Sequence, residues 1–110
     1  MKLLTLEDVK RNPAVHAYIV GGNDHLGALG YTDHGLRHAG LVSSIAKNIL
    51  ERFHFSEREQ ELAAIAGYLH DIGNVVSRYY HAQVGASLSE RILSSMGMEP
   101  AEVAIVMGAI

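Results

Sequence analysis

The chain has 110 residues and a formal charge of −3, with 48% hydrophobic and 19% charged residues. That length supports one packed core, and that balance excludes a disordered segment. The acidic charge argues against a nucleic-acid backbone binder, and the absence of Cys excludes disulfides, thiolate zinc sites and cysteine nucleophiles.

The opening, Met1-Lys2-Leu3-Leu4, runs at once into Glu7 and Asp8 and does not read as a signal peptide. Thr5 caps a short predicted helix through Lys10. Pro13, after Asn12, suits the first turn of a second helix over 13–20, and Gly21-Gly22-Asn23-Asp24 is expected to break it. Residues 25–31 stay open between helix and loop. Thr32 or Asp33 then caps a long helix from about His34 to Arg52. Its inward stripe reads His34, His38, Leu41 or Val42, Ile45 and Ile49, at steps of three and four.

Ser56-Glu57-Arg58-Glu59 is a capping box that opens a helix through about His70, with Leu62, Ile65 or Ala66, and Leu69 facing in. The small residues Ala63, Ala64, Ala66 and Gly67 allow a neighbouring helix to approach closely. Gly73 and Asn74 suit the exit. A loop over 75–80 leads to a helix over 81–96, with a stripe of His81, Val84 or Gly85, Leu88 and Ile92, and with Gly97 at C′. Pro100 suits the first position of a last helix. No stretch sustains period-two alternation, so the reading is all-α: a single domain over 1–110 of about five helices. The apolar stretch from Val103 to Ile110 stops without a cap, so the domain is expected to continue past these residues. An exposed apolar end there leaves room for a homodimer. No apolar run approaches the roughly 18 residues that span a membrane, and a cytoplasmic protein is expected.

Seven histidines stand out against two Phe and no Trp. His34 and His81 each head an apolar stripe, and His70 ends a helix with Asp71 beside it. A buried imidazole or carboxylate without a partner costs several kcal/mol. One divalent cation can partner them all, and imidazoles with a carboxylate suit Fe, Mn, Ni, Co or Zn. An incomplete protein shell leaves a position for water, as a hydrolytic site requires. His38 lies one turn after His34 on the same face, and reads either as a core residue or as a base facing substrate. Asp33 reads as a cap or as a hydrogen-bond partner of a ligand His. His16, His25 and His54 read as surface residues.

The segments Asp33-His34-Gly35-Leu36-Arg37-His38-Ala39, Tyr68-Leu69-His70-Asp71-Ile72-Gly73-Asn74 and His81-Ala82-Gln83-Val84-Gly85-Ala86 resemble the HD-domain metal-dependent phosphohydrolases, over about residues 30 to 110. The resemblance implies an all-α bundle of five or more helices. It also implies a centre of one or two divalent ions (Fe, Mn, Ni, Co, Zn or Mg) that hydrolyses a small phosphorylated substrate, often a nucleotide. On it, His34 matches the first metal-binding His, and His70 and Asp71 match the catalytic, metal-binding pair that names the family. Asp71 is able to bridge two ions, and His81 matches the extra His of binuclear members. Arg37 matches a basic structural or phosphate-facing position. His38, Asn74 and Arg78 complete the candidate substrate contacts.

Two features depart from the family pattern. Asn74 stands where many binuclear members, including the group that cleaves cyclic dinucleotides, carry Lys. An amide donates a hydrogen bond to phosphate but supplies no charge, so cyclic-dinucleotide cleavage is not implied. The family's last metal-binding Asp has no counterpart here, because Asp8, Asp24, Asp33 and Asp71 are the only Asp residues. That ligand is expected past Ile110. Both departures keep open a non-catalytic HD module that binds a nucleotide or a partner protein. A helical interaction fragment with core histidines is the third reading, and it predicts no bound metal.

Overall fold

Side-chain caps start the first two helices of the computed structural model, which describes residues 3–30 and 34–110. α1 (Leu6–Lys10) begins at Thr5. Thr5 Oγ1 accepts from the Asp8 N–H at 3.2 Å, and Asp8 Oδ2 accepts from the Thr5 N–H at 2.9 Å, a reciprocal pair that satisfies two otherwise orphaned donors. α2 (Pro13–Ala28) begins at Asn12, whose Oδ1 accepts from Ala14 and Val15.

α2 does not stop at Val20. Gly21 and Gly22 lie inside it, and the reason is tertiary. A Cβ at Gly22 would stand 3.1 Å from the Val75 backbone nitrogen and 3.3 Å from the Asn74 carbonyl carbon. Glycine costs a helix interior about 0.5–1 kcal/mol. Here it lets the segment around Asn74 and Val75 pack directly on the α2 backbone.

α3 (Leu36–Arg52) starts at Gly35 without a side-chain cap; the expected caps, Thr32 and Asp33, lie outside the described residues. Its stripe differs from the expected one. Ala39 and Ser43 are buried and Leu36 packs on the core, whereas Leu41, Ile45 and Ile49 are 59%, 48% and 50% exposed. The cause is the close approach of α3 to α4 (Glu57–Leu69). Ser43 Oγ donates to the Ala64 carbonyl at 2.8 Å. A Cβ at Gly67 would stand 3.0 Å from the Val42 carbonyl oxygen. Two helices this close need small residues between them, so the large aliphatic residues of α3 turn outward. The small-residue run of α4 allows the contact expected of it.

α4 opens on the expected capping box. The Glu59 N–H donates to Ser56 Oγ, and the Ser56 N–H donates to Glu59 Oε1, each at 3.1 Å. The helix is buried from Ala64 to Leu69 and forms the centre of the bundle. Replacing Ser56 with Ala is expected to cost about 1 kcal/mol and to lower Tm by about 4–8 °C. An unchanged thermal midpoint would show that the box contributes nothing measurable.

α4 ends at Leu69, with His70 as its C-cap. A 3-10 turn (Ile72–Val75) follows, then α5 (His81–Ser95) and α6 (Pro100–Ala109). Gly97 takes φ 93° just past α5, as expected of a C′ glycine. Arg58 ties three segments together. It donates to both Glu102 carboxylate oxygens on α6, at 2.7 and 2.6 Å, and to the Leu4 carbonyl at 2.7 Å. Val9, Val15, Ile65, Leu69, Leu93 and Val106 are fully buried and mark the core.

Val103 and Val106 are buried, and Met107 and Ile110 pack against the core. One face of this apolar stretch thus packs on the core, while Ile105, 56% exposed, stands on the other. Among the described residues there are six α-helices and no strand, in keeping with the all-α bundle expected. No helix among them is long and apolar enough to cross a membrane.

Candidate metal centre

Asp71 sits between α4 and the 3-10 turn, where a carboxylate often caps the turn that follows. It does not do so here. The Asn74 N–H is taken by the Asp71 main-chain carbonyl at 3.0 Å, and the carboxylate makes no cap bond. Four imidazoles surround it instead. His34 Nδ1 lies 2.6 Å, His70 Nε2 3.2 Å and His38 Nε2 3.6 Å from Asp71 Oδ2, and His81 Nε2 lies 3.4 Å from Oδ1.

Each imidazole comes from a different place in the fold or a different turn. His34 lies at the entrance to α3, and its backbone N–H donates to Asn23 Oδ1 on α2 at 2.9 Å. His38 is in the first turn of α3, His70 caps the end of α4, and His81 begins α5. Gly73 sets the last of these. A Cβ there would overlap the His81 carbonyl oxygen and stand 2.7 Å from the Gly85 nitrogen. The turn and the first turn of α5 thus meet backbone to backbone, which brings His81 opposite Asp71.

Two rings have their protons placed by backbone. His70 Nδ1–H donates to the Gly67 carbonyl at 2.7 Å, and His81 Nδ1–H donates to the Arg78 carbonyl at 3.0 Å. A carbonyl only accepts, so Nδ1 carries the proton and Nε2 is the atom turned to Asp71. Metal-binding imidazoles are held in this way.

The carboxylate is kept charged. Burial alone would push the Asp71 carboxyl up, but hydrogen bonds from His70 and His34, and the charge on those rings, hold it well below the ordinary carboxylate range. The hydrogen bond to Asp71 raises the His70 pKa, against its burial.

The donor set and its spacing fit a divalent ion. Separations of 3.4 and 3.6 Å for His81 and His38 are long for nitrogen–oxygen hydrogen bonds, whose mode is about 2.9–3.0 Å, whereas His70 at 3.2 Å and His34 at 2.6 Å lie within hydrogen-bond reach of the carboxylate. Two ligands about 2.1 Å from one tetrahedral ion stand about 3.4 Å apart. His34, His38 and Asp71 each offer one donor atom within 4.8 Å of the others, and all three side chains are half-buried. Imidazole with carboxylate suits Zn, Fe, Co, Ni or Mn.

The other candidates fall differently. Arg37 is exposed on the first turn of α3, and Arg78 is half-buried in the loop that holds His81. Asn74 was expected to face substrate, but its side chain is enclosed beside Gly22, only 1% exposed, and neither amide atom has a hydrogen-bond partner. Tyr79, Tyr80, His16, His25 and His54 are exposed. Asp33 lies outside the described residues.

His38, read either as a core residue or as a base facing substrate, stands at the carboxylate. One residue has a part at the site that the sequence did not suggest. Asn23, read as part of a helix break, anchors the His34 backbone.

A family model for the HD domain matches residues 31–107. No curated protein and no solved structure matches the chain.

Proposed function

The chain belongs to the HD-domain family, and on that premise we propose that it is a metal-dependent phosphohydrolase acting on a small phosphoester, a nucleotide first among them. The observation that carries the reading is the convergence of His34, His70 and His81 on the half-buried carboxylate of Asp71. Those four side chains would hold the ion. When bound, a divalent cation supplies Lewis acidity and lowers the pKa of a water towards about 7.

The chain's own groups do the rest. The carbonyls of Gly67 and Arg78 keep the His70 and His81 rings turned inward. Asp71 is held in its ionised form, so its carboxylate oxygens can bind a cation and accept a hydrogen bond that orients a water. Arg37, exposed on the first turn of α3, offers a guanidinium to a phosphoryl oxygen.

A second reading is a non-catalytic module that binds a nucleotide or a partner protein. It draws on Asn74, whose enclosed amide gives a phosphate one contact fewer than the family pattern suggests.

The deciding experiment strips the protein with a chelator, reloads it with each transition metal in turn, and assays release of phosphate from a nucleotide panel. Hydrolysis that needs one of the metals is expected. Nucleotide binding by metal-loaded protein without any product would favour the second reading. No binding and no product would remove both.

A further inference from the structure

We propose that the short loop before α5 is the edge of the site that selects substrate, with the rings of Tyr79 and Tyr80 as a platform on which the base of a nucleotide stacks; this rests on the reading of the site as a phosphohydrolase centre. The first ground is position. The loop leaves the 3-10 turn that follows Asp71 and spans only residues 76–80 before α5 begins at His81. Both of its ends therefore belong to the site. Tyr80 adjoins His81 in the chain, with Cα atoms about 3.8 Å apart, and Tyr79 is one step further.

The second ground is that the loop is held. The Val76 and Ser77 N–H groups donate to the Gly73 carbonyl at 3.0 and 3.1 Å. At the other end the Arg78 carbonyl accepts from His81 Nδ1–H at 3.0 Å, and the Tyr80 carbonyl accepts from the Val84 N–H at 2.9 Å. A loop pinned at both ends presents its side chains with little ordering left to lose on binding.

The third ground is what the loop presents. Val76, Tyr79 and Tyr80 are 62%, 92% and 65% exposed. Among the described residues neither tyrosine ring belongs to the core or meets another ring. A single exposed apolar side chain needs no explanation, but a cluster of three beside a site does. Tyrosine offers a large flat surface at low cost in rotamer freedom, and such a surface suits a nucleobase.

The division of labour follows. The ion and Arg37 take the phosphoryl end of the substrate, and the two rings take its flat end. Stacking recognises a planar ring rather than one particular base, because every base has a π-face.

The test uses the full chain loaded with the metal that supports hydrolysis. It compares AMP with ribose 5-phosphate, which carries the same 5′-phosphoester without a base. The parent is expected to prefer AMP in kcat/KM, chiefly through KM. The double variant Tyr79→Ala, Tyr80→Ala is expected to lower that preference about 5- to 150-fold. Tyr79→Phe, Tyr80→Phe keeps the rings and should keep the preference. A parent with no preference, or an Ala variant that retains the parent's, would overturn the platform and leave the phosphohydrolase standing. Should the parent hydrolyse neither compound with any metal, the phosphohydrolase reading falls and calorimetry decides the platform. Tighter binding of AMP than of ribose 5-phosphate, lost in the Ala variant, supports it; equal affinities or no binding refute it. Should the Ala variant fail to fold, NMR of the parent with AMP decides. Cross-relaxation between base protons and the Tyr79 or Tyr80 ring supports stacking, and its absence refutes it.

Discussion

Asp71→Asn is expected to abolish metal uptake and hydrolysis together while the helices remain. The substitution keeps the shape of the side chain and removes its charge. Every imidazole at the site is placed with respect to that carboxylate, at 2.6 to 3.6 Å, so no other group can take its place. Co(II) affinity should fall by more than about 100-fold, beyond the range usual for loss of a supporting group. Metal content by plasma mass spectrometry reads the result, and an Asn variant with the parent's metal content would refute the site.

The same variant has a signature without metal. The Asp71 carboxyl is depressed in the fold from 3.8, so its contribution to stability is present above that value and is lost as pH falls towards the folded one. His70 is raised from 6.5, so its contribution is present below 6.5 and is lost as pH rises through the folded value. The pair therefore stabilises the ion-free protein most between about pH 4 and 6.5, and Asp71→Asn should lose that maximum. Metal binding runs the other way, because a ligand imidazole must be neutral. Ion affinity in the parent should climb above neutral pH as ion-free stability declines. Parallel pH profiles for the two quantities would contradict the assignment of these groups.

What was legible in the sequence was mostly local. Thr5, the Ser56–Glu59 box, Gly97 and Pro100 act within a turn of themselves, and each helix end they mark is where it was expected. The order His34, His70-Asp71, His81 was legible too, because spacing and residue type survive without coordinates. What failed depended on neighbours distant in sequence. Gly21 and Gly22 look like a break until Val75 and Asn74 are seen against them. Leu41, Ile45 and Ile49 make the more hydrophobic stripe of α3, yet the side that can approach Gly67 is the one with Ala39 and Ser43. Size gave the wrong face, and closeness of approach gave the right one. At the site, the ligand-type residues could be named from sequence. The carbonyls of Gly67 and Arg78 that turn two rings inward could not.

Gly73→Ala is expected to be the most destabilising single methyl addition in the chain, at about 3 kcal/mol or more and a fall in Tm of roughly 12 °C or more. The usual sign is the opposite. Where the backbone tolerates it, Gly→Ala stabilises by about 0.4–1 kcal/mol through the unfolded state. Here the added carbon would overlap the His81 carbonyl oxygen and stand 2.7 Å from the Gly85 nitrogen. Both are backbone atoms, with no rotamer to relieve the clash, so the turn or α5 must move. Either movement separates His81 from Asp71. Variant protein that still folds should therefore also bind Co(II) more weakly than the parent. Gly85→Ala is the control, because its added carbon meets nothing nearer than the Gly73 nitrogen at 3.4 Å. It lies inside α5, where Ala gains about 0.5–1 kcal/mol in helix propensity, so its Tm should hold or rise. The two glycines face each other across one contact, and the opposite signs expected of them separate loss of space from any general effect of a methyl group. Equal Tm changes for the two would mean that the backbone contact does not seat α5, and that His81 owes its place opposite Asp71 to something else.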